Sequence, residues 1–447
     1  MGNLTKLLEP SRTTQAIYAH WKRTSEAKQY DTVTLGASQV GRPCERALWY
    51  SFRHCCRPEF DGRMYRLFER GNLEEPRVVK DLRAIGCVVH EVDESTGKQF
   101  RVTALGGHLS GRLDGAVLKV PEAPKTWHVL EIKTHSAKSF KALVSKGVEE
   151  AKPEHFAQVM LYMHLTGMKR ALYIAVNKDT EELYTERIRH SKDTAELLVE
   201  RARRVIFSQA PPDRISDRPD YYLCKWCDAR DICFGTEAPE PALPVPALSC
   251  RQCCHATPTN DGGGRWVCEL HKKGLSTNDQ KRPCESHLII PDLLAAHESI
   301  ECDHDAAGNY FIRFRHDKWG QWVHGKGEST WSSDELRSLP ISLLGNDTLV
   351  TVKERFGGTA KVGYGSLTEK YELHHTKKSR IVWGGPLNFQ AITEAWNAIY
   401  ADRLEQLTPS VREHSEDGKA ILAEYADDRL VVAHPASDRA AIWELKQ

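Results

Sequence analysis

The sequence predicts an α/β fold in which a sheet is flanked by helices, and three observations carry this prediction. Amphipathic helical patterns cover residues 13–29, 61–84, 138–147 and 153–166. Between the second and third of these helices the hydrophobic period changes, and strands are expected within residues 86–93, 99–120 and 126–134. A strand pair around Asp179 and a basic helix follow.

Composition limits the class of protein. The chain has 447 residues, 40% of them hydrophobic and 28% charged, which indicates two or three globular domains. The formal net charge of +1 gives no global attraction to nucleic acid, so such binding must rest on local patches. No run reaches the length of a membrane helix and no secretory signal follows Met1, so a cytoplasmic location without membrane contact is expected. In a reducing compartment, 13 cysteines are metal ligands, thiols or core residues rather than disulfides.

The stretch from Gly107 to Thr134 carries the most chemistry. It contains Asp114 and, one hairpin later, Glu131 and Lys133. Residues two apart on a strand share a face, so Glu131 and Lys133 should project together while Ile132 enters the core. Two carboxylates and an ammonium at a strand end predict a small divalent-cation site.

Three further polar residues are weak signals when taken alone. Glu75 lies in the helix over residues 61–84, where a solvated acidic face is the simpler interpretation. Gln158 and Tyr162 are four apart and therefore share one face of the helix over residues 153–166. A helix flank exposed to water is the simpler interpretation of that pair.

A cysteine cluster ends the first half of the chain. Cys224, Cys227 and Cys233 fall within ten residues, a density that core packing rarely produces. Three thiolates on a short loop favour a metal or a metal cluster, which needs a fourth ligand. Cys44, which opens a short aromatic helix, is the candidate.

In chain order these elements resemble the RecB-like branch of the PD-(D/E)XK nuclease superfamily. They are most similar to its members with a four-cysteine iron-sulfur staple, such as the CRISPR-adaptation nucleases and the AddB nuclease domain. Each motif is weak alone, but the ordered set is specific. The matching residues are Ser38, Cys44, Arg46, Tyr50, Gly71, Glu75, Gly111, Asp114, Glu131, Lys133, Gln158, Tyr162, Cys224, Cys227 and Cys233.

The resemblance implies a restriction-endonuclease-like core over residues 1–235, with a central mixed sheet flanked by helices. It makes Asp114, Glu131 and the carbonyl of Ile132 ligands of Mg2+ or Mn2+, and Lys133 the group that orients or deprotonates the attacking water. Glu75 would reach the site directly or through a water. A His commonly occupies that place in the CRISPR-adaptation subset, which leaves one-metal and two-metal chemistry open.

The resemblance also assigns roles outside the acidic site. Gln158 and Tyr162 would contact the DNA strand near the scissile phosphate. The cysteines that would bind a [4Fe-4S] cluster, with Zn2+ as the alternative, are Cys44, Cys224, Cys227 and Cys233. Such a staple joins distant parts of the chain and reduces the freedom of the unfolded state.

A change in composition marks a boundary after Gly235. Residues 236–249 read as a Pro/Ala linker, and residues 250–300 as a zinc-ribbon-like module. The expected zinc ligands are Cys250, Cys253, Cys268 and Cys284, with His271 or His287 as substitutes. Residues 301–447 alternate short apolar runs with turns and predict a small accessory domain of mixed α+β structure.

Two functions follow from these features. The first is a metal-dependent DNA nuclease that acts as an exonuclease on DNA ends or single strands in recombination, repair or phage DNA metabolism. A recombination or single-strand-annealing protein is its expected partner. The second is a nucleic-acid-binding or assembly protein that keeps the fold and does not cut. The intact set of Asp114, Glu131 and Lys133 favours the first.

Overall fold

A computed structural model describes residues 10–27, 34–237, 240–327 and 330–345, Lys353, isolated helical positions between residues 390 and 398, and the strands from residue 359 onward. The chain forms two compact units. The first comprises residues 1–53, 57–217 and 257–277, and the second comprises residues 54–56, 218–256 and 278–447.

The described residues contain eight α-helices, of which six lie where helices were expected, whereas the two short ones at Arg230–Phe234 and Ser333–Ser338 were not predicted. The eight helices are α1 (Arg12–Ala27), α2 (Glu45–Phe52), α3 (Gly62–Ala84), α4 (Ala137–Ala151), α5 (Pro153–Thr166), α6 (Lys192–Phe207), α7 (Arg230–Phe234) and α8 (Ser333–Ser338). Local chemistry sets their ends: Asp61 caps α3 by accepting a hydrogen bond from Met64 N, and α5 begins at Pro153 and ends at the left-handed Gly167.

The strands fall into several small sheets. In the first half they are β1 (Leu35–Gly36), β2 (Val88–His90), β3 (Val92–Asp93), β4 (Lys98–Gln99), β5 (Arg101–Ala104), β6 (Leu109–Arg112), β7 (Gly115–Leu118), β8 (His128–His135), β9 (Arg170–Asn177) and β10 (Leu183–Arg189). In the second half they are β11 (Ala256–Pro258), β12 (Trp266–Cys268), β13 (Lys273–Leu275), β14 (Glu298–His304), β15 (Tyr310–His316), β16 (Gly320–Gly325), β17 (Thr359–Gly363), β18 (Lys370–His374), β19 (Ser379–Pro386), β20 (Val411–His414), β21 (Ile421–Tyr425), β22 (Arg429–His434) and β23 (Arg439–Leu445).

The first unit is built on a five-stranded mixed sheet with the order β10-β9-β8-β7-β2. Strands β8 and β9 are parallel, and the other neighbours are antiparallel. Helix α3 contacts β2 and β8, whereas α4 and α5 contact β8 and β9. The expected mixed sheet flanked by helices is therefore confirmed.

A hydrophobic core joins this sheet to α3. Val78, Val79 and Leu82 of α3 pack with strand residues that include Leu130 and Ile132. Full burial of such side chains contributes about 1.5–3 kcal/mol each, so the central strand β8 is firmly held.

The second unit contains antiparallel sheets. Strands β14, β15 and β16 form one sheet, and the order β19-β23-β22-β21-β20 forms another. Together with α8 these strands agree with the mixed α and β structure expected for residues 301–447. The sequence pattern of residues 386–406 predicts an amphipathic helix, and most of these residues lie outside the described part of the chain.

The compact units do not follow the boundaries predicted at residues 235 and 250. Residues 257–277 belong to the first unit because they pack against the turn before β6: Gly264 N donates to Gly106 O at 2.9 Å, and His108 Nε2 lies 2.9 Å from Thr259 O. The predicted module over residues 250–300 is thus divided between the units, and a zinc-ribbon fold stays a prediction. In the described parts of the chain no helix combines the length and the apolar character needed to cross a membrane.

Candidate active site

The centre of the candidate site is strand β8. Leu130 and Ile132 enter the core that faces α3, so Glu131 and Lys133 lie together on the other face of the strand. Glu131 is fully buried, and the Lys133 ammonium forms an ion pair with its Oε1. The Lys133 side chain keeps 28% of its surface exposed, which places it at the rim of the site.

Asp114 lies where the chain changes from one sheet to another. It occupies the bend between β6, which belongs to the β1-β6-β5 sheet, and β7, which belongs to the five-stranded sheet. The β7–β8 ladder ends at the Gly115–Leu130 pair, and beyond it Asp114 Oδ2 accepts a hydrogen bond of 2.7 Å from Ile132 N. The N–H and C=O of one strand residue point to the same side, so the Ile132 carbonyl faces the same edge.

Glu75 reaches the site from α3. It lines a cavity of about 350 Å³ together with Gly71, Asn72, Lys133 and His155. Burial and the neighbouring charge of Asp114 raise the pKa of Glu75 to about 7, and Lys133 acts in the opposite direction. The solvated acidic face considered for Glu75 is therefore not what forms.

The charges of the site are strongly coupled. Burial raises the pKa of Asp114 and raises the pKa of Glu131 to about 7, although Lys133 opposes both effects. Burial alone lowers the pKa of Lys133, but the charges of Glu131 and Asp114 outweigh it and raise that pKa above its ordinary value. Lys133 is therefore an ammonium at neutral pH, and its action on an attacking water stays a prediction.

The carboxylates fit a divalent cation. Within the described residues neither side-chain oxygen of Glu131 has a hydrogen-bond partner, although Oε1 is in ion-pair contact with Lys133. A buried carboxylate without hydrogen bonds is costly, and a hard cation such as Mg2+ or Mn2+ satisfies such oxygens. Across the described ranges no group of three or more His, Cys, Asp or Glu side chains is spaced to hold a metal, and binding of a cation by Asp114, Glu131 and the Ile132 carbonyl stays a prediction.

Gln158 and Tyr162 support the Asp114 bend. Both side chains are buried, at 6% and 2% exposure, so the exposed helix flank considered above is wrong. Tyr162 Oη accepts a hydrogen bond of 3.0 Å from Gln158 Nε2 and donates one of 2.7 Å to the carbonyl of Arg112, two residues before Asp114. Contact of this pair with DNA stays a prediction.

A second polar network was missed from the sequence. Tyr173 Oη lies 3.0 Å from His135 Nε2 and 2.7 Å from His155 Nδ1, and Ser139 Oγ joins His135 to Lys152. Burial, aided by the nearby lysines, lowers the pKa of His135 to about 4 and that of His155 to about 3, so both rings are neutral. His135 follows Lys133 by two residues, so the two-residue period of a strand predicts that both side chains lie on the same face of β8.

The four cysteines of the predicted staple belong to different units. Cys44 lies in the first unit and caps α2, where its Sγ accepts from Ala47 N at 3.4 Å. Cys224, Cys227 and Cys233 lie in the second unit, where Cys227 N donates to Cys224 O at 3.1 Å. Their joint binding of a cluster stays a prediction.

The second cysteine set is likewise divided. Cys250, Cys253 and Cys284 lie in the second unit, whereas Cys268 and His271 lie in the first. The four cysteines stay the predicted zinc ligands, with His271 as a substitute.

His287 is less suited to zinc than the other substitute. Its Nδ1 lies 2.8 Å from Ser333 Oγ and its Nε2 lies 2.9 Å from Ser249 O, so protein groups occupy both ring nitrogens. Burial lowers the pKa of His287 to about 4. The ring therefore serves as a buried hydrogen-bonding group.

Comparison with known proteins gives the following likenesses. SSO0001 has a crystal structure that is similar at 16% identity and a TM-score of 0.32, covering 49% of this chain and 95% of that one. The alkaline exonuclease LHK-Exo from Laribacter hongkongensis is similar at 15% identity and a TM-score of 0.30, covering 42% of this chain and 90% of that one. The same exonuclease in complex with dAMP is similar at 15% identity and a TM-score of 0.29. No curated protein matches the chain.

The family comparison covers the site described above. Residues 39–234 match the family model of the PD-(D/E)XK nuclease superfamily, a range that holds β8, the Asp114 bend and α5. Over this range the chain is therefore similar to the PD-(D/E)XK nuclease superfamily.

Proposed function

We propose that this chain is a metal-dependent DNA nuclease that hydrolyses phosphodiester bonds from DNA ends or in single strands, as an exonuclease. The observation that carries the proposal is the fully buried Glu131 carboxylate, whose Oε1 forms an ion pair with Lys133 and whose Oε2 has no hydrogen-bond partner within the described residues. Such a carboxylate is expensive to bury, and binding a cation is a reason to keep it. The match of residues 39–234 to the family model of the PD-(D/E)XK nuclease superfamily supports this interpretation.

The proposed roles follow from the contacts of each side chain. Asp114, Glu131 and the Ile132 carbonyl hold Mg2+ or Mn2+, which when bound polarises the scissile phosphate and activates the attacking water. The Ile132 N–H fixes the Asp114 carboxylate through the 2.7 Å hydrogen bond. The Lys133 ammonium orients the water and offsets the negative charge that develops on the phosphoryl oxygens. Glu75 accepts a hydrogen bond from that water.

The cysteine clusters complete the proposal. Cys44, Cys224, Cys227 and Cys233 bind a [4Fe-4S] cluster with a structural role, and the second cysteine set binds Zn2+. A brown anaerobic preparation with a broad visible absorption band is the expected result. A colourless preparation that contains only zinc would assign Zn2+ to the first cluster as well.

The biological setting is part of the same proposal. A nuclease of this kind serves recombination, repair or phage DNA metabolism, where a single-strand-annealing protein that receives the processed strand is the expected partner. A pull-down of purified annealing protein by the full chain tests this association.

The decisive experiment is cleavage of end-labelled DNA. We expect wild-type protein with Mg2+ or Mn2+ to shorten linear single-stranded or duplex DNA from an end and to spare covalently closed circles. Asp114→Ala should reduce the rate by at least 10²-fold, because a metal ligand is lost. The matched control is Asp193→Ala, an exposed residue in the first turn of α6, which should cleave at the wild-type rate.

Three results would contradict the proposal. Cleavage of closed circles would exclude the exonuclease mode. Equal cleavage by Asp114→Ala would exclude the assigned site. Binding of DNA without cleavage by wild-type protein would assign the chain to the class of non-cleaving assembly proteins.

A further inference from the structure

Two residues at the start of α5 line the cavity beside Glu75 and have no role in the function proposed above. They are Lys152, the N-cap residue of α5, and His155. In the lining, the ammonium groups of Lys133 and Lys152 outnumber the carboxyl group of Glu75. The cavity therefore favours an anionic ligand.

The carboxylates proposed to hold the cation do not line this cavity. Its lining includes Ile132 and Lys133 of β8 but neither Asp114 nor Glu131, so the cavity adjoins the proposed cation position without enclosing it. An anionic group in the cavity would therefore be a neighbour of the scissile phosphate. In a nucleic-acid strand that neighbour is the next phosphate along the backbone.

A chain of hydrogen bonds sets which nitrogen of His155 carries the proton. The Lys152 ammonium can only donate, so the Ser139 hydroxyl accepts from it at 2.6 Å and has its own hydrogen left for His135 Nδ1 at 3.1 Å. His135 Nε2 then carries a proton and donates to Tyr173 Oη at 3.0 Å. The single hydrogen of the Tyr173 hydroxyl is donated to His155 Nδ1 at 2.7 Å. His155 therefore carries its proton on Nε2.

The opposite direction of this chain leaves one hydrogen without an acceptor. If His155 Nδ1 carried the proton, Tyr173 would donate to His135 Nε2. The Ser139 hydroxyl would then accept from both the lysine and His135, and its own hydrogen would have no acceptor among the described residues. Burial raises the pKa of Tyr173 and lowers those of both imidazoles, so the hydroxyl keeps its proton and each ring has one N–H.

The Nε2 atom of His155 remains for a ligand. It has no hydrogen-bond partner within the described residues, and it is not one of their polar atoms that are fully buried without a partner. Because the ring lines the cavity, a ligand there can reach this N–H. A phosphate oxygen is a strong acceptor for such a donor, since a hydrogen bond to a charged acceptor is stronger than one between neutral groups.

We propose that His155 Nε2–H donates a hydrogen bond to a non-bridging oxygen of the phosphate next to the scissile one in the DNA strand. Tyr173, His135 and Ser139 are positioning residues, which hold the imidazole in this tautomer. Lys152 fixes the direction of the chain and adds positive charge to the cavity. This inference rests on the proposed nuclease function and extends it to a flanking phosphate.

The test compares the cleavage of DNA strands that carry one methylphosphonate linkage on either side of the cleaved bond. A methylphosphonate replaces one charged oxygen of the phosphate by a methyl group. With Mn2+, kcat/KM of wild-type protein should fall by about 10- to 100-fold at one of the two positions, as expected when a hydrogen bond to a charged group is lost. His155→Ala should show a similar loss on the all-phosphate strand, and the methylphosphonate should lower its rate by no more than about 3-fold further.

Three variants separate the hydrogen bond from a structural role. Glutamine at position 155 carries an amide N–H near the place of Nε2, so His155→Gln should recover most of the rate lost in His155→Ala. Tyr173→Phe removes the hydrogen that keeps Nδ1 an acceptor and should lower kcat/KM by about 3- to 10-fold. In the His155→Gln background the same change should have no further effect, whereas a structural Tyr173 would lower the rate equally in both. The control is His20→Ala, an exposed position on α1, which should cleave at the wild-type rate.

The tautomer is measured without any cleavage. Full-length protein labelled with 15N-histidine gives ring signals in long-range 1H–15N spectra, and the signal that is missing in His155→Gln belongs to His155. We expect the pattern of an Nε2–H tautomer. Its signal should shift when a single strand is added without divalent cation.

Each outcome has a defined meaning. An Nδ1–H tautomer in wild-type protein would overturn the assigned direction of the chain. Equal methylphosphonate losses in wild type and His155→Ala at both positions, or a wild-type rate in His155→Ala, would overturn the phosphate contact while the nuclease stands. If wild-type protein never cleaves but the His155 signal shifts with added strand, the nuclease fails and the contact stands. If the signal does not shift either, both fail.

Discussion

Gly111 lies against the ring of Tyr162, and the substitution Gly111→Ala tests whether this contact places Asp114. A Cβ at position 111 would lie 2.3 Å from Cε1 of Tyr162 and 3.0 Å from the Cβ of Ala37. Carbon atoms in contact are normally about 3.5 Å apart or more. An overlap of about 1.2 Å with the Tyr162 ring must therefore be relieved by movement of β6 or of Tyr162.

The surroundings make that movement expensive. Tyr162 is only 2% exposed, and its hydroxyl is tied to Arg112 O and to Gln158 Nε2. Overpacking costs about 1–3 kcal/mol, and a broken hydrogen bond adds about 1 kcal/mol. We expect the free energy of unfolding to fall by about 2–4 kcal/mol. Because Asp114 follows three residues later, a displacement of about 1 Å should also lower the cleavage rate by roughly 10²-fold.

Urea unfolding and the cleavage rate with Mn2+ are the two measurements. Gly274→Ala in β13 is the matched control, because a Cβ there meets no atom within 4 Å and it belongs to the same unit. The double variant Gly111→Ala/Tyr162→Ala should be less destabilised than the sum of the two single variants, since the smaller side chain leaves room for the new Cβ. Equal stability and equal cleavage of Gly111→Ala and Gly274→Ala would refute the reasoning.

Two further predictions concern buried titratable groups. Glu131→Gln should stabilise the metal-free protein at pH 8 by roughly 1–3 kcal/mol, because the raised pKa of Glu131 means that its ionised form is disfavoured on folding. The same variant should not cleave DNA, and Mn2+ should no longer raise its melting temperature. A lower stability of this variant at pH 8 would contradict the prediction. Burial lowers the pKa of His324 to about 4. Between pH 4 and pH 6.5 the imidazole is therefore protonated in the unfolded chain but neutral in the folded protein. The free energy of unfolding is therefore about 3 kcal/mol higher above pH 6.5 than at pH 4 on account of His324. In urea unfolding, the stability of His324→Gln should fall less steeply with decreasing pH than that of the wild type.

The two-residue period of a strand was enough to predict how the residues at the centre of the site are oriented. Glu131, Ile132 and Lys133 alternate across β8 as the two-residue period requires, and the structure confirms that Ile132 joins the core while the other two pair on the opposite face. The helix carrying Glu75 was predicted for the same reason, because its apolar stripe is local information. What these residues do chemically stays a proposal.

The surroundings of the site depend on contacts that are distant in sequence. The hydrophobic pattern around Asp114 shows strands but not that β6 and β7 belong to different sheets. The network at Tyr173 depends on the parallel pairing of β8 with β9, which sets Glu131 beside Tyr173 across a helical crossover. Hydrophobic periodicity and residue spacing do not reveal which strands pair with each other, so Tyr173 and His155 were missed.

Composition predicted a linker over residues 236–249 but did not reveal the limits of the compact units, and the structure places these residues within the second unit. The Pro/Ala-rich residues 236–249 differ visibly from their neighbours. The return of residues 257–277 to the first unit rests on backbone hydrogen bonds to the turn at Gly106 and on a ring contact between Phe52 and Trp266, with centroids 5.7 Å apart. Every residue except proline has the same backbone N–H and C=O groups, so the sequence does not show which of them will pair. The packing of residues 257–277 in the first unit could therefore not be predicted.

The magnitudes explain how β8 tolerates a buried carboxylate. Raising the pKa of Glu131 from 4.5 to about 7 corresponds to a cost of about 3 kcal/mol for its ionised form. The neighbouring side chains Leu130 and Ile132 together contribute about 3–6 kcal/mol by burial, and the ladder to β9 prevents the strand from turning Glu131 toward water. Hydrophobic packing on one face of β8 therefore offsets the electrostatic cost on the other. For this reason Ile132→Ala, which removes a β8 side chain from the core shared with α3, should reduce the rise in melting temperature that Mn2+ is expected to cause, although no carboxylate is changed.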